Sequence, residues 1–239
     1  MNQISAIQSY EAGEASLPLN VVCVLKQGGC YDLDYVRNLA NGIRRHLTAP
    51  YRFYCLTDVD PWHPQWFESN RIQHLPLRHR WPGWWSKIEL FRPFLFTGRV
   101  LYLDLDTLVT GSLAKLAAYD GDFAILRDFY FDQGLGSAVM AWRAGDHGMI
   151  YERFKANALA SARNFHGDQQ WIAHCLDRLE VEPDRIQDLF PDLAVSYKPI
   201  PGGAHLQEKP KGASLVCFHG KPKPHDVADQ VDFVGEHWG

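Results

Sequence analysis

The sequence predicts an α/β fold, a single domain whose mainly parallel central sheet is flanked by helices. Three observations carry this. Apolar runs of strand length recur as LNVVCVL, YRFYCLTD and VLYLDLD; an amphipathic pattern of helical period separates the first from the second; and 46% hydrophobic residues in 239 are ample for one core. Strands alternating with helices imply parallel pairing. The expected boundaries are a polar leader over 1–18, the domain over 19–226 and a C-terminal tail over 227–239.

Taken in order, LNVVCVL reads as a buried strand and is followed by a Gly-Gly loop. DLDYVRNLANGIRRHL then places Val36, Leu39, Ile43 and Leu47 on one helical face, with Asp32 as N-cap. YRFYCLTD is the second strand. PWHPQWF and RHRWPGWWSKIELFRPFLF, rich in tryptophan and proline, read as a loop feeding a helix. VLYLDLD, DFAILRD and SAVMAW are further strands; GDHGMIYERFKANALASAR and DQQWIAHCLDRL are helices with apolar spacing of three and four. From Pro183 the chain reads as strands and loops ending in SLVCFHGKPKPHD. Neither an internal repeat nor a low-complexity segment is present.

Composition excludes several classes. The formal charge of −4, with 24 Lys and Arg scattered along the chain, argues against nucleic acid as the main partner. No run approaches the roughly 18 apolar residues of a membrane span, and the start lacks a basic-then-apolar signal pattern. The expectation is a cytoplasmic chain with no transmembrane segment, compatible with peripheral membrane contact. The five cysteines are odd in number and form no CxxC pair, so they read as reduced packing residues.

The chemistry concentrates where an apolar run ends in Asp104 and Asp106. On a strand Leu101, Leu103 and Leu105 point one way, while Tyr102, Asp104 and Asp106 point the other. Two like charges within about 7 Å at a strand end need a cation or water. The carboxyl edge of a parallel sheet is where α/β folds place ligand crevices. Oxygen ligands there suit Mg²⁺ or Mn²⁺ holding a diphosphate; the alternative is a pair of solvated strand-end acids.

Six landmarks follow in sequence: Tyr31 soon after the first strand, WSKIELF, YLDLD, GLGSAVMAW, HGDQQW and FHGKPKP. Together, from Val21 to about His225, they resemble nucleotide-sugar glycosyltransferases of the GT-A fold. The similarity is to the branch containing glycogenin and the bacterial lipopolysaccharide galactosyltransferases (glycosyltransferase family eight). The resemblance implies a Rossmann-like GT-A domain and a metal-dependent hexosyltransferase. Such an enzyme moves a sugar from a UDP-sugar donor to a glycan or other hydroxyl acceptor, such as a cell-surface glycan precursor, with retention of anomeric configuration.

Carried over residue by residue, the resemblance makes Asp104, Asp106 and His219 the ligands of Mn²⁺ (or Mg²⁺), with Asp104 also facing the donor ribose. Tyr31 resembles the aromatic that stacks on uracil, and Lys87, Gly220 and Lys223 the residues that meet the donor phosphates and sugar. Asp168 and Gln169 match the Asp-Gln pair beside the transferred sugar and are the catalytic candidates. Taken alone, Lys87 is equally an exposed helix residue, Tyr31 a packing aromatic and Asp168 an N-terminal cap whose helix keeps it ionised. Two departures stand out. Aligned on Gly220-x-x-Lys223-Pro224, the family's histidine position falls on Cys217, two residues before His219. Gly136-Ser137-Ala138 replaces the family's Asn-Ser-Gly, so donor-sugar choice transfers less readily than metal binding.

Trp84 and Trp85 are packing residues or an acceptor-stacking surface. Asp132 and Asp168 are the available carboxylate bases for an inverting reaction. The rival enzyme class is a haloacid-dehalogenase-type phosphotransferase with Asp104 as nucleophile, although DLDTL follows two earlier strands and Leu108 departs from that motif. A catalytically silent sugar-nucleotide binding protein is the third reading.

Overall fold

The computed structural model describes residues 18–59, 64–199 and 201–239. The leader reading lies outside these residues except at Pro18, as do positions 61–63 of PWHPQWF. In chain order the elements are β1 (Leu19–Leu25), α1 (Leu33–His46), β2 (Tyr51–Thr57), α2 (Pro64–Ser69), β3 (Gln73–Pro76), a 3-10 helix (Gly83–Phe91) and β4 (Arg99–Leu103). They continue with β5 (Thr107–Val109), α3 (Ala114–Ala117), β6 (Phe123–Arg127), β7 (Leu135–Arg143), α4 (Gly148–Ala156), α5 (Ala158–Asn164) and α6 (Asp168–Arg178). The last are β8 (Asp184–Arg185), α7 (Ile186–Leu189), β9 (Ala194–Ser196), β10 (Leu215–Cys217), α8 (Pro224–Val227) and α9 (Asp232–His237).

Seven strands form the central sheet in the order β3-β2-β1-β4-β7-β6-β8, and β5-β10-β9 form a second, small sheet. The β3-β2-β1-β4 half is parallel, while β7 runs antiparallel to both its neighbours. The mainly parallel α/β sheet read from the sequence is therefore present. The strand order turns back at β1, between β2 and β4, which opens a crevice at the carboxyl ends of β1 and β4.

Alternation along the strands sorts the core into two layers. Leu19, Val21, Cys23 and Leu25 share one layer with Leu101, Leu103 and the buried face of α1; Val22, Val24, Val100 and Tyr102 meet Trp85, Ile88, Phe154 and Trp171 in the other. Asp32 caps α1, its Oδ1 accepting from the backbone N–H groups of Asp34 (3.0 Å) and Tyr35 (3.2 Å).

Four details differ from the sequence reading. β4 ends at Leu103, and Asp104–Asp106 form a turn closed by Thr107 N–H on Asp104 C=O at 3.0 Å. The WSKIELF segment is a 3-10 helix, because buried Trp85, Ile88 and Phe91 recur at spacing three, the period of that helix. The helix read over 145–163 breaks at Asn157, whose φ of −149° and ψ of 44° lie outside the helical region. Residues 227–239 carry α9, whose Phe233 and Val234 pack with Leu108, Tyr197, Val216 and Phe218. No helix among the described residues is long and apolar enough to cross a membrane.

Candidate functional site

A cleft of about 970 Å³ opens at the crevice. Its walls are the loop from Lys26 to Tyr31, the start of the 3-10 helix, the Asp104–Asp106 turn, the head of α6 from His166 to Gln170, and the Cys217–Gly220 segment with Lys223. Lys26 pairs with Asp58, which also accepts from Gln27 N–H at 2.9 Å, so the loop after β1 is pinned to the end of β2. On the opposite wall Glu89 is wholly buried and accepts from the backbone N–H groups of Arg78 and His79 (2.8 Å each) and from Arg92 (2.8 Å). That clamp fixes the approach to the 3-10 helix, which presents Lys87 to the cleft.

Lys87 Nζ bonds both oxygens of Asp104 (2.9 and 3.1 Å), Ser137 Oγ (3.2 Å) and Asp168 Oδ2 (3.4 Å). Burial works to lower the Lys87 pKa, but the carboxylates of Asp104 and Asp168 outweigh it and raise it. Tyr102 also donates to Asp104. Asp168 is the first residue of α6 rather than its cap, which is Gly167, and its Oδ2 accepts from Ser137 Oγ at 2.5 Å. Burial raises its pKa above the ordinary carboxylate value against the pull of Lys87 and Ser137. The sequence reading has the helix N-terminus favouring the ionised form, and burial works against it. Gln169 lines the cleft beside it.

Asp106 forms the second cluster. It accepts from Tyr31 OH (2.7 Å) and from Lys223 Nζ, which also donates to Tyr31 OH (2.6 Å). Burial and the nearby Asp104 raise the Asp106 pKa against the lowering effect of Lys223. Burial together with Asp106 and Asp104 holds the Tyr31 phenol protonated. Tyr31 lies edge-on to Tyr35, with centroids 5.0 Å apart.

His219 lines the same cleft but faces another way. Its Nε2 meets Ser196 Oγ at 2.7 Å, and its ring stacks on Phe129 at 5.7 Å. Burial and Lys198 lower its pKa. Cys217 pairs with Thr107 across the small sheet, and burial plus the charges of Asp106 and Asp104 push its thiol pKa up. Among the described residues no three His, Cys, Asp or Glu side chains converge as a metal-ligand group. Asp104 and Asp106 nevertheless suit Mg²⁺ or Mn²⁺, which need only one or two protein carboxylates when substrate phosphates supply further oxygens. The charges agree: three carboxylates face two ammoniums, so the clusters hold no spare positive charge for a diphosphate.

The structure thus unites Asp104, Lys87 and Asp168 in one cluster and Asp106, Tyr31 and Lys223 in another, with Gly220 alongside. Gly220 has φ +70°, and a Cβ there would sit 3.1 Å from Lys198 Nζ. Lys198, absent from the sequence reading, donates to Lys221 C=O at 2.9 Å. Burial and Lys223 lower its pKa. Nothing in AVSYKPI marks it. Asp132 is exposed and outside the cleft lining. Trp85 is buried against Phe154, whereas Trp84 is 55% exposed at the cleft wall.

No family model and no curated protein matches the chain. Solved structures do. The glycosyltransferase GlyE of Streptococcus pneumoniae TIGR4 superposes with a TM-score of 0.66 at 18% identity, over 86% of this chain and 56% of GlyE. The galactosyltransferase LgtC, solved with donor and acceptor sugar analogs, gives 0.52 at 14% identity over 92% and 96%. The bifunctional glycosyltransferase WbbM gives 0.57 at 11% identity over 92% of this chain and 51% of that one. The chain therefore spans about half the length of the GlyE and WbbM chains it resembles. The fold is the GT-A fold that the sequence resemblance implies.

Proposed function

We propose that this chain is a metal-dependent glycosyltransferase that moves a hexose from a UDP-sugar to a hydroxyl of a glycan acceptor, retaining the anomeric configuration. One observation carries the reading: two carboxylate–ammonium clusters, Asp104–Lys87–Asp168 and Asp106–Lys223–Tyr31, face one cleft at the switch point of the sheet. A phosphotransferase attack by Asp104 has less support, because Lys87 engages both its oxygens and Tyr102 engages one of them.

Asp104 and Asp106 would hold Mn²⁺ or Mg²⁺, and the bound ion would neutralise charge on the departing diphosphate. Lys223 and Lys87 supply positive charge beside the same oxygens, where it stabilises the leaving group most in a site shielded from water. Tyr31 offers its ring to the uracil. Asp168, oriented by Ser137 and Lys87, accepts hydrogen bonds from the donor sugar, with Gln169 beside it. The C1–O bond to the diphosphate breaks as the bond to the acceptor oxygen forms, and the acceptor proton passes to a diphosphate oxygen on the same face. His219 becomes a metal ligand only by giving up its bond to Ser196. We place the protein in the cytoplasm on the sequence reading.

Incubation with radiolabelled UDP-galactose and UDP-glucose tests this. Manganese-dependent UDP release that rises with glycan acceptors is the expected result, and proton NMR of the first-formed product reads the anomer. Phosphate-ester hydrolysis without nucleotide binding refutes it, and binding without turnover favours the silent module.

A further inference from the structure

Lys223 is held by more than its ion pair. An ammonium has three donors, and here all three have partners: Asp106 Oδ2, Tyr31 OH at 2.6 Å and Phe218 C=O at 3.3 Å. The side chains of Lys223 and Asp106 are 9% and 8% exposed. Its backbone is fixed independently, because Lys223 N–H donates to Asp226 Oδ2 at 2.7 Å. The flexible stem is therefore the part free to swing. Lys87 differs in bridging two carboxylates, Asp104 and Asp168, whereas Lys223 pairs with Asp106 alone.

We propose that Lys223 is a built-in competitor for the divalent cation, occupying the Asp106 carboxylate until a nucleoside diphosphate offers its ammonium phosphate oxygens instead. The proposal rests on the metal-dependent donor site inferred above. A divalent ion arriving alone would meet an ammonium already seated on its ligand, and like charges at such separations in a buried site repel strongly. An ammonium leaving alone would lose its counter-charge and leave the buried Asp106 with only the Tyr31 hydroxyl. Ion and diphosphate therefore enter together, each strengthening the other by the same factor. Lys223 is in this sense a positioning residue with a cost to metal affinity and a gain in nucleotide affinity.

The test is Mn²⁺ binding to the full chain, read from the electron paramagnetic resonance of free Mn²⁺, for wild type and Lys223→Met, alone, with uridine and with UDP. Without nucleotide, K223M is expected to bind Mn²⁺ at least about fivefold tighter than wild type, within the usual range of coupling factors. Its UDP affinity is expected to fall, and uridine is expected to change neither protein. Thermal unfolding gives a second readout: Mn²⁺ alone raises the midpoint of K223M more than that of wild type, and UDP enlarges the Mn²⁺ response of wild type. If K223M misfolds, Lys223→Gln replaces it with the same expectation. Equal or weaker nucleotide-free Mn²⁺ affinity in the variant, with UDP-dependent Mn²⁺ binding intact in wild type, overturns this inference alone. Absence of Mn²⁺ binding in every state overturns the metal-dependent reading as well.

Discussion

The ammonium of Lys87 lies 3.4 Å from Asp168 Oδ2 while bonding both oxygens of Asp104. One cation from the 3-10 helix thereby joins the end of β4 to the head of α6. The two carboxylates come from positions 64 residues apart, and Ser137 of β7 completes the link through its 2.5 Å bond to Asp168.

Removing that cation should impair chemistry more than binding. Lys87→Met is expected to lower kcat for sugar transfer by about 10²–10³-fold, the usual loss for a preorganised electrostatic group. The donor KM should move by less than about tenfold, because Tyr31, Lys223 and Asp106 remain. Steady-state kinetics with circular dichroism as a fold check decides it; a pure KM effect would exclude a role for Lys87 at the leaving group.

The metal assignment separates Asp106 from His219. Asp106→Ala is expected to abolish turnover, by at least about 10³-fold. His219→Ala should weaken Mn²⁺ binding in the presence of UDP by less than about threefold, since its ring serves Ser196. Mn²⁺ titrations of both variants check this. A loss in H219A as large as in the aspartate variant would mean that the ring turns into the site.

Asp168 should set a pH dependence of stability. Burial raises its folded pKa, so at pH values between the ordinary carboxyl pKa and the raised one the folded state holds a proton that the unfolded chain has released. Stability from this group is present below the ordinary carboxyl pKa and is lost as pH rises through the raised folded value. Asp168→Asn is therefore expected to be more stable than wild type at pH 7, by about 1 kcal/mol or 2–4 °C in Tm. The difference should close in acid, and transfer activity should drop. Calorimetry across pH reads both arms; a variant less stable at pH 7 would show that the Lys87 pairing outweighs the burial.

Glu89 tests the scaffold rather than the chemistry. Replacing it by alanine leaves Arg92 buried without its carboxylate and frees two backbone N–H groups. The expected loss is about 3–5 kcal/mol, or roughly 6–20 °C in Tm. Thermal melts of Glu89→Ala measure it, and a change within 2 °C would mean that water replaces the carboxylate.

Much of the fold was legible because β1, β2 and β4 are apolar runs of strand length, α1 is strongly amphipathic, and Asp32 announces the α1 cap. The Asp pair was legible as chemistry but not as geometry. Alternation in LYLDLDTLV looks unbroken, whereas the turn at Asp104–Asp106 exists because β5 leaves the main sheet to pair with β10. That pairing joins residues more than 100 positions apart, which no local pattern can report. The same holds for Ser196 and Lys198, placed by the three-residue β9. The His219 expectation came from the family resemblance; Ser196, which holds its ring, comes from a segment that the FHGKPKP motif does not contain.

The pairing of Cys217 with Thr107, continued by Phe218 N–H on Asp106 C=O at 3.2 Å, has a consequence in time. During synthesis the crevice between β1 and β4 can form early, yet Asp106 lacks its ammonium until Lys223 has emerged from the ribosome. A nascent chain carrying the first half of the site would thus be inert towards nucleotide sugars. Competence would arrive abruptly, once the segment that carries Lys223 has emerged.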